Sequence, residues 1–148
     1  MLQIDVGYPD LDAERKMVLA TTGREEKMPT AVMSGEELLA AQSLVRRIPV
    51  GQDVVEAILK LVRAGRPETT QHEAVRRHVA WGPGPRASQA LMLASRARAL
   101  LDGRYAPSVD DVVALAGPVL RHRMALNFAA RAEGAELQSI VHDLCAQL

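Results

Sequence analysis

The sequence predicts an all-α fold, a small helical bundle, and three observations carry that expectation. Apolar residues make up 48% of the 148-residue chain, but aromatics only 3%. The core must therefore be built from Leu, Val, Ala, Ile and Met, which suits packed helices better than a β-sandwich fed by aromatic and β-branched side chains. Apolar positions recur at spacings of three and four through most of the chain, and Gly, Pro and polar breaks cut the pattern into pieces of helical length.

The chain opens with Leu2, Ile4 and Val6 in alternation, a short strand running into a Gly7-Tyr8-Pro9 turn. Such a strand has no evident partner, which places the start of the chain partway through a larger protein. Asp10 or Asp12 caps a first helix that reaches about Thr21 and ends at Gly23. Residues 24–33 are a charged, proline-containing connector. Ser34 opens a second helix with Glu37 at the capping-box position, and Leu38, Ala41, Val45 and Ile48 form its inner face. A third helix covers Gln52 to Ala64, with Val54, Ile58, Leu61 and Val62 inward, and stops at Gly65-Arg66-Pro67. Residues 66–77 are polar and read as a loop.

The stretch His78 to Arg104 organises the rest. His78-Val79-Ala80-Trp81 is short and extended, with Trp81 expected to anchor the core. The loop Gly82-Pro83-Gly84 then gives way at once to a long helix, with Pro85 at the first helical position, where its missing N–H costs nothing. Ala90, Leu93, Ala94, Ala97, Leu100 and Leu101 form an apolar stripe, and Arg86 falls where that stripe runs out, beside free backbone N–H groups. On residues alone Arg86 is either a core-edge arginine, snorkelling or paired with a carboxylate, or an arginine aimed at a phosphate; spacing leaves both open.

Beyond Asp102-Gly103, Ser108 caps a further helix with Asp110 and Asp111 in its first turn and Val112, Leu115 and Ala116 inward. Gly117-Pro118 bends or restarts it into Val119 to Met124. Leu137, Ile140, Val141, Leu144 and Leu148 mark a terminal amphipathic helix. About six helices result, with one short β pairing between the segments near Val79 and Met124.

Several chemistries are excluded. No glycine is followed by lysine, so the phosphate-cradling P-loop is missing. His72, His78, His122 and His142 lack metal-ligand spacing, and no metal site is expected. No nucleophile elbow supports serine catalysis. Asp110 and Asp111 read as first-turn charges rather than an acid/base pair. The formal net charge is zero, so the molecule as a whole has no electrostatic bias toward nucleic acid or membrane. Between Arg76 and Arg104, six arginines face one acid, Asp102, a run whose default reading is a solvated face; Arg121-His122-Arg123 could meet an anion, but its default reading is a solvated face too. A helix-turn-helix over Ser108 to Met124 would turn at Gly117-Pro118, but its second helix would be very short. The single cysteine, Cys145, allows no intrachain disulfide. No signal pattern or membrane-length apolar run is visible, so a cytoplasmic location is the default.

Four stretches together resemble the C-terminal part of the MoxR family of AAA+ ATPases. They are Ile4-Asp5-Val6-Gly7-Tyr8-Pro9-Asp10; Gly84-Pro85-Arg86-Ala87 with the Ala/Leu-rich helix after it; Gly103-Arg104-Tyr105 through Ser108-Val109-Asp110-Asp111-Val112; and Val119-Leu120-Arg121-His122-Arg123. The resemblance implies that residues 1–9 end an ATPase core as its junction strand and that residues 10–148 form a helical lid. It implies Arg86 as the sensor-2 arginine reaching the γ-phosphate, with Gly7, Tyr8 and Pro9 near the adenine side. Gly84 departs from the serine that many relatives carry before the Pro-Arg pair. The same resemblance implies ATP and Mg2+ in the parent protein, with the P-loop, magnesium-binding acids and arginine finger upstream of Met1, so that this chain alone would neither bind them nor hydrolyse ATP. It also implies, as partners, the lid's own core, neighbouring subunits of a ring oligomer and von Willebrand-factor-A-domain proteins, with remodelling or maturation of client proteins as the outcome. The alternative expectation is a stand-alone helical adaptor or DNA-binding module, whose affinity would fall steeply with salt.

Overall fold

The computed structural model describes residues 1–23 and 29–148. The part of the expected connector at 24–28 lies outside the described residues. The elements run α1 (Leu11–Thr21), α2 (Gly35–Arg47), α3 (Gln52–Ala64), α4 (Glu73–His78), β1 (Val79–Trp81), α5 (Pro85–Leu101), α6 (Val109–Leu120), a 3-10 turn at Arg121–Arg123, β2 (Ala125–Leu126), α7 (Phe128–Ala132) and α8 (Leu137–Cys145). The expected all-α bundle with one short β pairing is what forms, with eight α-helices among the described residues.

The centre of the bundle is α5 against α6. Helix α3 packs across both, and α8 closes the far side of α6. The core holds Val54, Ile58, Leu61, Val62, Leu91, Val112, Val119, Leu120, Val141 and Leu144, all nearly or wholly removed from water. At about 25 cal/mol for each Å² of apolar surface buried, side chains of this size contribute roughly 1.5–3 kcal/mol each. Strands β1 and β2 pair antiparallel, Val79 opposite Leu126 and Trp81 opposite Ala125, in the region where the sequence predicts a pairing.

Local signals explain the helix ends. The Asp10 carboxylate caps α1 by accepting the Ala13 N–H at 2.8 Å. On α2, the Glu37 N–H donates to Ser34 Oγ at 3.1 Å and the Ser34 N–H to Glu37 Oε2 at 2.7 Å, a complete capping box. Helix α5 ends in a Schellman turn, with Gly103 at φ 71°, its N–H bonded to Leu100 O and the Arg104 N–H to Ala99 O.

Five expectations are corrected. Residues 1–9 form no strand; they are exposed, and a ladder needs a run of backbone partners, yet the segment has one backbone–backbone bond to the described body, from Gln3 N–H to Pro118 O at 2.9 Å. The polar stretch 66–77 contains the short helix α4, held by Val75, which is fully buried. Helix α6 runs through Gly117-Pro118, because Ala116, Val119 and Leu120 are all locked into the core on either side. That continuity removes the turn a helix-turn-helix requires. On α2, Leu38 and Ala41 are exposed and only Ile48 is buried, so its expected inner face stays largely uncovered. Trp81 stands 52% exposed: regular alternation would set it on the buried face of Val79, but the pairing register shifts between the two residues and breaks that alternation.

Candidate functional site at the start of helix α5

The loop that launches α5 is pinned at three places. Pro83 is buried, and its carbonyl accepts the Arg66 Nε–H at 3.0 Å. Gly82 lies so close to the end of α3 that a Cβ there would sit 2.7 Å from Arg66 Cα and closer still to the Gly65 carbonyl. The β1–β2 pairing fixes the chain just upstream. Gly84 then caps α5 with extended backbone, and Pro85 occupies its first turn.

Arg86 follows on this fixed base, and its side chain is exposed. The buried line of α5 is Ala87, Ala90, Leu91, Ala94, Ser95 and Ala99, one ridge round from the expected stripe; Leu101, expected inward, is 87% exposed. Arg86 therefore stands on the flank of the buried line rather than at its end. No ion pair engages it among the described residues. It borders a cleft of about 320 Å³ lined by Met1, Gln89, Ala90, Leu93 and Arg123 as well, a lining without a carboxylate. The site is suited to an anion and not to a metal cation. Gly7, Tyr8 and Pro9 are exposed and none of them lines this cleft.

The remaining arginines of the basic run divide. Arg98 and Arg104 converge on Asp111, which is 2% exposed. Its carboxylate accepts two bonds from Arg104, at 2.7 and 2.8 Å, and the Ser108 N–H at 2.8 Å. Arg104 foremost, helped by the Ser108 N–H and by Arg98, holds the Asp111 carboxyl below the usual range against the opposing effect of burial. This cluster joins the end of α5 to the start of α6. Sequence spacing does not reveal it, because Arg104 reaches Asp111 only after the chain reverses at Gly103. Arg121 pairs with Asp5 at 2.5 Å and donates to Gln3 O at 3.2 Å, so that part of the Arg121-His122-Arg123 trio is not simply solvated. Asp110 stays exposed, and the Asp110-Asp111 pair builds a helix start.

The AAA lid domain family matches residues 71–144, half of the chain and all of the ground from α4 into α8. The chain belongs to that family. The lid is similar to the chaperone MoxR1 of Mycobacterium tuberculosis, at 30% identity over 145 residues, 96% of this chain and 38% of that protein. It is similar also to the uncharacterized protein YeaC of Bacillus subtilis, at 31% identity over 97% of this chain and 43% of the relative. The expected likeness to MoxR-type AAA+ ATPases is thus found. A crystal structure of a candidate ATPase from Cytophaga hutchinsonii has the same fold, with a TM-score of 0.89 and 23% identity over 100% of this chain and 46% of that one. The lid spans less than half the length of each of these proteins. Among the described residues, no helix is long and apolar enough to cross a membrane.

Proposed function

We propose that this lid closes over ATP held by a nucleotide-binding core of a MoxR-like AAA+ ATPase, and that Arg86 is its sensor-2 arginine. The observation that carries the reading is an exposed arginine on a pinned helix start, with no carboxylate paired to it among the described residues and a cleft beside it whose described lining holds no acid. The similarity to MoxR1 supports it independently.

Bound ATP with Mg2+ supplies the phosphoric anhydride; the chain's own contribution is charge and position. Arg66, gripping Pro83 O, and the β1–β2 pairing hold the loop so that the backbone carrying Arg86 is fixed before any ligand arrives. A guanidinium carried on a fixed helix start stabilises charge developing on phosphate oxygens once its side chain reaches them. ATP offers Arg86 a γ-phosphate and ADP does not, and that difference in contact biases the lid between closed and open. Gly7, Tyr8 and Pro9 at the head of α1 take the adenine side in the same reading. Ring assembly, partners of the von Willebrand-factor-A type, a cytoplasmic setting and client remodelling belong to this proposal as the use to which closure is put.

The test is steady-state ATP hydrolysis by the ATPase that contains this lid, compared with its Arg86→Ala form at saturating ATP. A fall of about tenfold or more, equivalent to about 1.4 kcal/mol of transition-state stabilisation, is expected with the fold intact. Unchanged turnover would make Arg86 a structural arginine and remove the proposal.

A further inference from the structure

A second arginine reaches the Arg86 cleft from a different element. Arg123 ends the 3-10 turn after α6, two residues before Ala125. Ala125 pairs with Trp81, and five residues after Trp81 comes Arg86. The β1–β2 ribbon is thus the device that brings residues 37 positions apart in the sequence (123 minus 86) to one cleft.

Arg123 is held by one of its nitrogens. Nη1 donates to Val119 O at 2.8 Å and to Met1 O at 3.1 Å. The same nitrogen also meets His122 Nε2; none of these partners is a carboxylate, so they orient the guanidinium without cancelling its charge. The opposite edge, Nε with Nη2, has no acceptor among the described residues. That edge is the flat two-donor fork that matches two oxygens of a phosphate. Arg121 next door is spent on Asp5, and Arg98 and Arg104 on Asp111. Among the described residues the side-chain positive charge left unpaired at this cleft is that of Arg86 and Arg123, and Gln89 in the same lining adds an uncharged amide donor. The cleft's volume of about 320 Å³ is on the order of ten waters' share of liquid, room for a hydrated polyanion rather than for a lone ion.

We infer that Arg123 and Arg86 form a two-arginine cradle for one polyphosphate chain, so that the lid grips its nucleotide at two points instead of one. The inference rests on the reading of Arg86 as a phosphate-contacting residue and extends it to a residue in another part of the sequence. Two forks from separate elements also constrain the angle at which the phosphates enter, which a single arginine on one helix cannot do.

The experiment is a titration of the full 148-residue chain with inorganic tripolyphosphate at low salt, following the arginine Nε–H resonances by NMR. The Arg86 and Arg123 signals are expected to move together with one dissociation constant, while that of Arg131, exposed on α7, stays still. Arg123→Gln is expected to weaken binding at least threefold, and Arg123→Lys to restore only part of it. Movement of Arg86 with Arg123 unmoved overturns the inference and leaves the Arg86 reading standing. Stillness of both overturns the cradle, whereas the Arg86 reading stands or falls separately with the turnover of the Arg86→Ala ATPase. Parallel movement of Arg131 means an adventitious cationic surface only, and that too overturns the cradle. The wild-type resonances distinguish these outcomes even if the Arg123→Gln protein fails to fold.

Discussion

Arg104 closes on Asp111 with two nitrogens at once, Nη1 donating to Oδ2 at 2.8 Å and Nη2 to Oδ1 at 2.7 Å. The pair is bidentate, and the acid is 2% exposed while the arginine keeps 38% of its side-chain surface in water. The asymmetry sets the consequences of breaking it. Losing the acid leaves an arginine that can resolvate. Losing the arginine leaves a buried carboxylate with only Arg98, 3.2 Å away, to oppose it.

Asp111→Ala is therefore expected to lower stability by about 2 kcal/mol, the combined loss of a helix-start acceptor and charge-assisted bonds. Arg104→Ala is expected to lower it further. Urea unfolding of both variants beside the wild type ranks them; equal midpoints for all three would show the cluster to be without weight.

The same acid sets a pH dependence. The folded-state pKa of Asp111 lies below its unfolded value, chiefly through Arg104. Its contribution is fully present above the ordinary carboxylate value of about 4 and is lost as pH falls through the lower folded value. Unfolding midpoints measured from pH 7 down to pH 3 should fall at the acid end. In Asp111→Asn, which cannot titrate, the fall should be shallower.

The loop before Arg86 offers a paired test of packing. Gly82→Ala places a methyl against the backbone of Gly65 and Arg66 and is expected to cost about 1–3 kcal/mol. At Gly84 nothing lies within 4 Å of an added Cβ, and the backbone is extended with φ −80° and ψ −179°. Gly84→Ser should supply the missing side-chain cap to α5 and stabilise by a few tenths of a kcal/mol. Thermal unfolding separates the two outcomes by sign.

Leu91 and Leu101 test which line of α5 is buried. Leu91 is fully enclosed and Leu101 is 87% exposed. Leu91→Ala should cost about 2–5 kcal/mol, and Leu101→Ala should stay within about 0.5 kcal/mol of the wild type. The reverse order would restore the stripe that ends in Leu101.

These contrasts mark where the sequence is legible. Signals that act within four residues carry through to the structure: Ser34 with Glu37, Asp10 at its helix start, Pro85 after Gly84, and the apolar line of α3. Helix α5 is harder because alanine belongs to both of its candidate inner lines. Ala87, Ala90, Leu91, Ala94 and Ser95 fit helical spacing as well as the stripe through Leu93 and Ala97, and only the neighbours α3 and α6 choose between them. Arg86 stands out in the sequence as the residue of interest, but its place on the flank of the buried line depends on that choice. The approach of Arg123 to Arg86 and the Arg104–Asp111 pair escape a sequence reading because each is made by a chain reversal, the β ribbon in one case and the Gly103 turn in the other. Trp81 defies its expected inward place because a three-residue strand has too few positions to reveal which face turns to the core.

Helix α5 has a mechanical meaning as well. Its 17 residues make a stiff rod about 25 Å long, with Arg86 near one end and the Asp102–Gly103 turn at the other. Wedged between α3 and α6, with Leu91 wholly enclosed at mid-length, the rod cannot swing without them. A displacement at either end is therefore shared by the bundle as one body, and the two ends of α5 keep a fixed separation.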